Sequence, residues 1–295
     1  MPDPAEFEEK EFEIPLYNEL ANGSPFLWSP GQVLEQSLGI DGAQLTYDAT
    51  LWKLLGLGQQ IPRGVPLNRL ASLLRRRRLL PSFRCNLLLQ IKRPYYMMNR
   101  TNGYHGSCPY YRFTLDHDQQ VVLERVATKV ADRAFVGYMS PAFYKLTDLY
   151  NYIVTSSLVL QSTVVEVNLL TNHRHWAYDR PGTHGVACSD PKEINGEPLT
   201  DIIEKLIDIN YGNKFLNDNE VSKERINKEL KELADSIYEV CVEECKPGNW
   251  IGDSTRDWLK LTESHWDKNT PESIINFAKI QRFCYINGIS WFVVG

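Results

Sequence analysis

The sequence predicts an α/β protein with a helical C-terminal lobe, and three observations indicate this class. A mostly apolar run, Cys85 to Ile91, has the length of a buried strand and precedes Pro94, which cannot donate to a strand ladder. Residues 118–131 carry valines at helical spacing and are followed by a second strand-like run at 134–139. Beyond residue 199 helical patterns dominate. Strands and helices therefore alternate in the middle of the chain, and helices prevail near its end.

Composition divides the chain into three parts. Residues 1–27 form an acidic leader that we expect to be partly extended; its first twenty residues hold one Asp, six Glu and one Lys. Residues 28–181 form the α/β core. Residues 182–295 form a mostly helical C-terminal lobe with a closing strand. We place the second boundary at the start of a turn-rich stretch, 182–197.

The core elements follow in order. Ser29-Pro30-Gly31-Gln32 has the residues of a helix N-terminus, and Gly39 ends that helix. Alternating apolar residues predict a strand at 44–52, and a short helix is expected at 67–80. After the strands already described, residues 145–160 have a helical pattern and residues 163–178 have strand patterns.

The C-terminal lobe has one clear amphipathic helix and one clear stop signal. Thr270-Pro271 opens a last helix, Asn287-Gly288 ends it, and residues 289–294 form the closing strand. The apolar stripe of the amphipathic helix consists of Ile226, Leu230, Leu233, Ile237 and Cys241.

The composition is that of a soluble globular protein. Of the 295 residues 43% are hydrophobic, no apolar run has the length of a membrane span, and the N-terminus lacks the pattern of a secretory signal. Six cysteines without a framework spacing suit a reducing cytosol, so we expect a cytoplasmic protein with no membrane partner. The net charge of −5 does not indicate nucleic-acid binding, although a binding groove can be positive in a protein whose net charge is negative.

Gln90-Ile91-Lys92 at the end of the central strand predicts a site. Strand side chains alternate between faces, so Gln90 and Lys92 point the same way while Ile91 packs behind. Upstream, Asp41 follows Gly39-Ile40, and Glu35 lies on the preceding helix. Two carboxylates, an amide and a lysine together can hold a divalent cation and activate a water against a phosphodiester.

The ordered set Glu35, Gly39-x-Asp41 and Gln90-x-Lys92 resembles the PD-(D/E)XK (restriction-endonuclease-like) nuclease superfamily, in its Mrr-like variant with glutamine at the acidic position. The flanking residues, Trp28 to Glu35 and Arg93-Pro94, are similar too, and the resemblance extends from Phe12 to Trp176. It implies a mixed sheet flanked by helices. Asp41 and Gln90 are far apart in sequence for adjacent strands, so an insertion must separate those strands.

The resemblance also implies an activity and its residues. The protein would be a magnesium-dependent DNA endonuclease that also accepts manganese, an antiphage defence effector controlled by a partner protein or by homo-oligomerisation. The catalytic residues would be Asp41, Gln90, Lys92 and Glu35. The metal ligands would be Asp41, Gln90, Glu35 and the main-chain carbonyl of Ile91. Lys92 would orient the attacking water or stabilise charge on the transition state. In the alternative, Asp41 caps a turn, Glu35 is solvated and Lys92 forms a salt bridge.

Nucleic-acid contacts are predicted for residues before and after the central strand in the sequence. The run Arg75, Arg76, Arg77 and Arg78, together with Arg93, would bind phosphates. In the alternative, the run is a solvated helix C-terminus, where basic residues are favoured. The nearby tyrosines could stack on bases or pack in the core; they are Tyr95, Tyr96, Tyr104, Tyr110 and Tyr111.

Two rival interpretations come from other classes of protein. Gln90 supplies one negative charge fewer than an acid would, so the chain could be a non-catalytic nucleic-acid-binding or scaffold protein with a degenerate nuclease core. In the second rival, His173 and His175 on one strand face, with His184 nearby, start the metal site of a different enzyme. Paired histidines also occur in plain structure.

Overall fold

The computed structural model describes residues 2–20, 85–99, 108–198, 201–202, 205–206, 223–244, 248–263 and 272–294. The described strands are β1 (Asp3–Pro4), β2 (Cys85–Ile91), β3 (Tyr95–Met97), β4 (Tyr110–Thr114), β5 (Ala134–Pro141), β6 (Ser162–Glu166), β7 (His175–Tyr178), β8 (His184–Cys188), β9 (Lys192–Asn195) and β10 (Ile289–Val294). The described helices are α1 (Glu9–Leu20), α2 (His117–Lys129), α3 (Leu146–Val154), α4 (Lys223–Tyr238), α5 (Trp250–Glu263) and α6 (Glu272–Ile286). A 3₁₀ turn covers Val167–Leu170, and a π-helical turn, Glu239–Glu244, continues α4.

The strands form two sheets, so the protein is mixed α/β. One sheet has the order β10-β2-β5-β6, in which β2 and β5 are parallel and the other pairs are antiparallel. The other sheet has the order β1-β3-β4-β7-β8-β9 and is antiparallel throughout. The parallel pair needs a crossover, and the segment that provides it contains β3, β4 and α2.

Strand β2 is central and buried on both faces, which explains its nearly continuous apolar sequence. Leu88 packs on one face, in a core shared with α2 and the C-terminal helices. Leu87, Leu89 and Ile91 pack on the other face, against α1 and α3. The prediction that Ile91 packs behind the predicted site is therefore confirmed.

The core on the Leu88 face confirms two predicted helical stripes. Side chains along α2 at i, i+4 spacing are fully buried there: Val122, Val126 and Val130. The stripe of α4 and the turn after it meets them, and its described members are Leu230, Leu233, Ile237 and Cys241. Aromatic side chains of the six-stranded sheet close the same core, namely Phe113, Trp176 and Tyr178.

The N-terminal segment was expected to be a partly extended leader over residues 1–27, and its described part is largely helical. Residues Glu9–Leu20 form a helix, and Phe7, Phe12 and Leu16 are buried against the second core. Phe12 and Leu16 are spaced by one helical turn and form an apolar stripe. This stripe is short and lies among glutamates, so the sequence pattern did not indicate a helix. Residues 9–20 are thus part of the folded molecule.

The C-terminal segment shares both sheets with the preceding part. The predicted boundary at 181/182 lies between β7 and β8, and these two strands pair with each other. The closing strand was predicted at 289–294 and is observed there as β10, where it pairs along β2. Among the described residues, the two predicted parts are joined by strand pairing at these places.

Several predicted elements lie outside the described residues: the helix beginning at Ser29, the strand at 44–52 and the helix at 67–80. Within the described residues, no helix combines the length and hydrophobicity needed to cross a lipid bilayer.

Candidate functional site

Gln90 and Lys92 lie at the carboxyl end of β2, beside the carboxyl end of the parallel strand β5. The main chain continues this pairing past the strand end, since Lys92 N donates to Met139 O at 2.9 Å. Carboxyl ends of parallel strands are where open α/β sheets commonly bind ligands. The strand alternation predicted from the sequence therefore brings two polar side chains to a place suited to a site.

The amide of Gln90 is held at one end. Its side chain is buried, with 5% of its surface exposed, and Nε2 donates to the main-chain carbonyl of Asn287 at 3.1 Å. Among the described residues, its Oε1 is buried and accepts no hydrogen bond. A buried acceptor without a donor costs free energy, and a cation or a water would satisfy it.

Lys92 is partly buried and points toward α2. Its Nζ donates to Oε1 of Gln119 at 3.4 Å and lies 5.7 Å from the centre of the Tyr138 ring. Burial lowers the pKa of the Lys92 amine, while the carboxylates of Glu9 and Asp116 act in the opposite direction. The amine thus sits in a poorly hydrated place where its charge is felt strongly by any group that approaches.

Gln119 is fixed at the start of α2. Asp116 is the N-cap, and its Oδ1 accepts from the main-chain N of Gln119 at 3.0 Å. The Gln119 side chain is buried, and its Nε2 donates to the same Asn287 carbonyl that Gln90 uses. The side-chain oxygen of Gln119, Oε1, therefore faces Lys92.

The turn between α6 and β10 delivers that carbonyl. Asn287 is fully buried, and its Nδ2 donates to Phe283 O at 2.9 Å. Gly288 follows with φ +56°, the left-handed conformation that favours glycine at a helix end. The carbonyl end of α6 carries partial negative charge, which suits a neighbouring lysine or a cation.

Gln119 and Asn287 belong to the site, although no sequence motif points to them. The spacing Asp116-x-x-Gln119 is that of a capped helix start, and Asn287-Gly288 was interpreted as a helix end alone. Neither signal reveals the site, because Gln90 and Asn287 are 197 residues apart in sequence. Only the pairing of β10 with β2 brings them together.

Glu35, Asp41 and the arginine run 75–78 lie outside the described residues, so their predicted roles stay predictions. The pairing of β2 bears on one expectation. β10 pairs with residues 85–90 at one edge of this strand, and β5 pairs with residues 86–91 at the other. Neither edge is open to a further strand, so the position directly beside Gln90 that was expected for the Asp41 strand is filled by β10.

Arg93, predicted to bind phosphate, contacts the N-terminal segment. Its Nη1 lies 2.9 Å from Oε1 of Glu8, and its Nη2 donates to Ala5 O. These contacts connect β2 to the segment before α1. The Arg93 side chain is partly exposed, with 29% of its surface accessible, although its Nε is buried.

His175 and His184 have partners of their own, whereas Nδ1 of His173 is buried and has no hydrogen-bond partner among the described residues. His175 Nδ1 lies 3.1 Å from Thr114 Oγ1, and His184 contacts Asn195 and Glu193. Burial lowers the pKa of His173 and of His175, and nearby cationic side chains add to this effect. Three or more histidine, cysteine or acidic side chains grouped as metal ligands do not occur among the residues that the structure describes.

The tyrosines that flank the Gln90 strand differ in exposure. Tyr110 is buried, Tyr96 stacks on Tyr144 with ring centroids 4.0 Å apart, and Tyr111 stacks on Tyr178 at 5.6 Å. Packing therefore accounts for these three. Tyr95 is exposed, and Tyr104 lies outside the described residues.

Comparisons with protein-family models, with curated proteins and with solved structures found no match for this chain. An amide oxygen with no donor among the described residues and a desolvated amine lie on the same strand face, two residues apart, between the start of α2 and the end of α6. Oxygen ligands suit a hard cation such as magnesium, and the neighbouring amine suits a developing negative charge.

Proposed function

We propose that the protein is a metal-dependent nuclease that hydrolyses phosphodiester bonds in DNA, built on a restriction-endonuclease-like core. One observation carries this proposal. Oε1 of Gln90 is buried and without a partner among the described residues, on the strand face where the Lys92 amine lies. The parallel pairing of β2 with β5 through a crossover that contains α2 is consistent with such a core.

The residues present fit a divalent cation. Gln90 Oε1 is an oxygen ligand that lacks a donor within the described part of the chain, and the carbonyl end of α6 adds negative potential. Magnesium, or manganese in its place, would be held by Gln90 together with Asp41, Glu35 and the Ile91 carbonyl, and it would supply Lewis-acid activation of phosphate and water. Asp41 and Glu35 enter on the sequence pattern alone.

Lys92 acts on charge in this proposal. Hydrolysis adds the oxygen of water to phosphorus and breaks a phosphorus–oxygen ester bond, and negative charge builds up on the phosphoryl oxygens. A protonated amine in a poorly hydrated site stabilises that charge more than it would in water. Gln119 and the Tyr138 ring keep the amine in one place, which reduces the reorganisation needed during the reaction.

The rest of the proposal follows from the sequence. DNA would be bound by Arg75 to Arg78 and by the exposed part of Arg93. The protein would act in the cytoplasm as an antiphage effector, and a partner protein or self-assembly would control it. These roles go with the nuclease activity and are tested after it.

The test is an incubation of purified protein with plasmid, linear DNA and RNA, each with magnesium, manganese or EDTA. We expect metal-dependent cleavage of DNA. Asp41→Ala should abolish both metal binding and cleavage. Lys92→Ala should keep metal binding but reduce the cleavage rate by a factor of about 10² or more, since it removes charge stabilisation in the transition state.

Three results would count against this function. Wild-type cleavage rates in Lys92→Ala, from a preparation free of contaminating nuclease, would reject the proposed mechanism. Nucleic-acid binding without cleavage under any metal condition would favour the non-catalytic rival. Zinc binding that is lost in His175→Ala would favour the histidine-based rival.

A further inference from the structure

The main-chain carbonyl of Asn287 holds two glutamine side chains at once. It accepts from Nε2 of Gln90 at 3.1 Å and also from Nε2 of Gln119. A primary amide has one donor end and one acceptor end, so fixing the nitrogen fixes where the oxygen lies. The Gln119 oxygen then faces the Lys92 amine at 3.4 Å, and the Gln90 oxygen is left buried with no partner among the described residues.

We propose that the Asn287 carbonyl is a positioning group that orients both amides, and that Gln119 is the positioning residue for Lys92. This inference rests on the proposed nuclease function. Neither group contacts the reacting atoms. Asn287 acts through Gln90 and Gln119, and Gln119 acts through Lys92.

The carbonyl is well placed because the turn that carries it is fixed on both sides. On the helix side, Asn287 N donates to Phe283 O and Gly288 N donates to Tyr285 O, both at 3.1 Å. On the strand side, Ile289 pairs directly with Gln90. The positive φ of Gly288 allows the chain to reverse between them, so the backbone conformation at residue 288 sets the direction of the carbonyl.

Gln119 is equally constrained, and its neighbour provides a control. The Gln119 side chain is 8% exposed, and its main chain is held by the Asp116 cap. Gln120 is buried on the same helix, but its Nε2 donates to Val167 O at 2.9 Å and to Glu124 at 2.7 Å, and its Oε1 accepts from the Tyr138 hydroxyl. Gln119 therefore contacts the Lys92 amine directly, whereas Gln120 is connected to it only through Tyr138.

The first experiment compares Gln119→Met, Gln119→Glu and Gln120→Met by steady-state DNA cleavage, magnesium titration and thermal unfolding. Methionine nearly keeps the volume and removes both hydrogen bonds. Gln119→Met should lower kcat by about 10–100-fold, because a misplaced catalytic group is costly, with KM and magnesium affinity within about twofold of wild type. Gln119→Glu keeps an acceptor for Lys92 and should recover part of the rate. Gln120→Met leaves the acceptor of Lys92 in place and acts on the amine only through Tyr138, so its kcat should fall by clearly less than that of Gln119→Met, to within about threefold of wild type.

The second experiment compares two glycines with positive φ, Gly288 and Gly248, the latter with φ +91°. Alanine strains the backbone at either position. Among the described residues, no heavy atom lies within 4 Å of a Cβ built at 248, and a Cβ at 288 makes only an ordinary contact with Gln90 Nε2. Gly288→Ala should weaken magnesium binding and lower kcat, each by about tenfold, because both amides lose their orientation. Gly248→Ala should lose similar stability and keep both.

The outcomes separate this inference from the function beneath it. A wild-type protein that neither binds magnesium nor cleaves DNA rejects the nuclease proposal, and the positioning role with it. An active wild type with Gln119→Met at full kcat, or with Gln120→Met equally impaired, rejects the positioning role alone. Gly288→Ala with unchanged metal affinity and rate rejects the role of the Asn287 carbonyl.

Discussion

At the scale of single residues, the site depends on the direction of side-chain amides. Gln90 and Gln119 each donate to the Asn287 carbonyl, and their oxygens face different ways as a result. The amine of Lys92 has a defined acceptor in Gln119 and an aromatic ring beside it. A neutral amide at position 90 leaves the site with one negative charge fewer than an acid would supply, and this has a measurable consequence.

Gln90→Glu should tighten magnesium binding by about tenfold, equivalent to ~1.4 kcal/mol, because a carboxylate adds a full negative charge beside the cation. Some cleavage should remain, since Gln119 still holds both Lys92 and the Asn287 carbonyl. Isothermal titration calorimetry measures the affinity. Gln90→Leu is the control, and it should bind magnesium more weakly than wild type. Weaker binding by Gln90→Glu would show that position 90 does not face the cation.

His175 gives a prediction on pH. Burial, Arg112 and Arg174 lower its pKa in the folded protein, so folding favours the neutral ring. Its contribution to stability is present above the ordinary histidine pKa, about 6.5, and is lost as pH falls through that value toward the folded pKa. The free energy of unfolding, measured in urea between pH 8 and pH 5, should fall less steeply in His175→Gln. An identical slope in both proteins would contradict the prediction.

At the scale of elements, α2 links the fold to the site. Its buried valines hold it on the central sheet, and its capped first turn places Gln119 beside Lys92. The sequence predicted the helix at 118–131, and it is observed at His117–Lys129. The regularly spaced valines indicated this helix in the sequence, and the N-cap residue Asp116 fixes the position of its first turn.

Asp116→Ala should lower the free energy of unfolding by about 1 kcal/mol, within a range of roughly 0.5–2, because the main-chain N of Gln119 loses its acceptor. Asp116→Asn keeps a capping oxygen and should cost clearly less. Urea unfolding of both variants tests this. Equal losses in the two variants would assign the effect to charge rather than to capping.

At the scale of the whole molecule, the N-terminal and C-terminal segments both pack in the cores on the two faces of the four-stranded sheet. α1 packs on one face of β2, and α4 and α6 pack in the core on the other face. β10 pairs with β2 along its length. A destabilising change in the C-terminal helices should therefore also destabilise β2, the strand that carries Gln90.

Leu233→Ala should lower the free energy of unfolding by about 2–5 kcal/mol, because Leu233 is fully buried in the core that contains Leu88 and Val122. Leu160→Ala, at a side chain that is 75% exposed, is the control and should stay within about 0.5 kcal/mol of wild type. Circular dichroism in the far and near ultraviolet should report one common transition. Separate transitions would show that the C-terminal helices unfold independently.

The sequence by itself determined the local elements whose pattern is strong. Cys85–Ile91 is a strand because it is an apolar run of strand length, α2 is a helix because its valines recur every turn, and Asn287-Gly288 ends α6 because glycine accepts a positive φ. It also placed Gln90 and Lys92 on one face, since strand alternation is a local property. The sequence did not predict helix α1, because its apolar stripe has only two residues and lies among glutamates.

Only the tertiary structure decided which residues meet at that face. Strand pairing has no local signature, so nothing in the sequence showed that β10 rather than the strand after Asp41 would lie beside β2. Gln119 and Asn287 join Gln90 and Lys92 because helix α2 and the end of α6 pack on the same face of one sheet. Contacts between residues nearly two hundred positions apart depend on the packing of the whole chain, and that packing selects the partners of each side chain in the site.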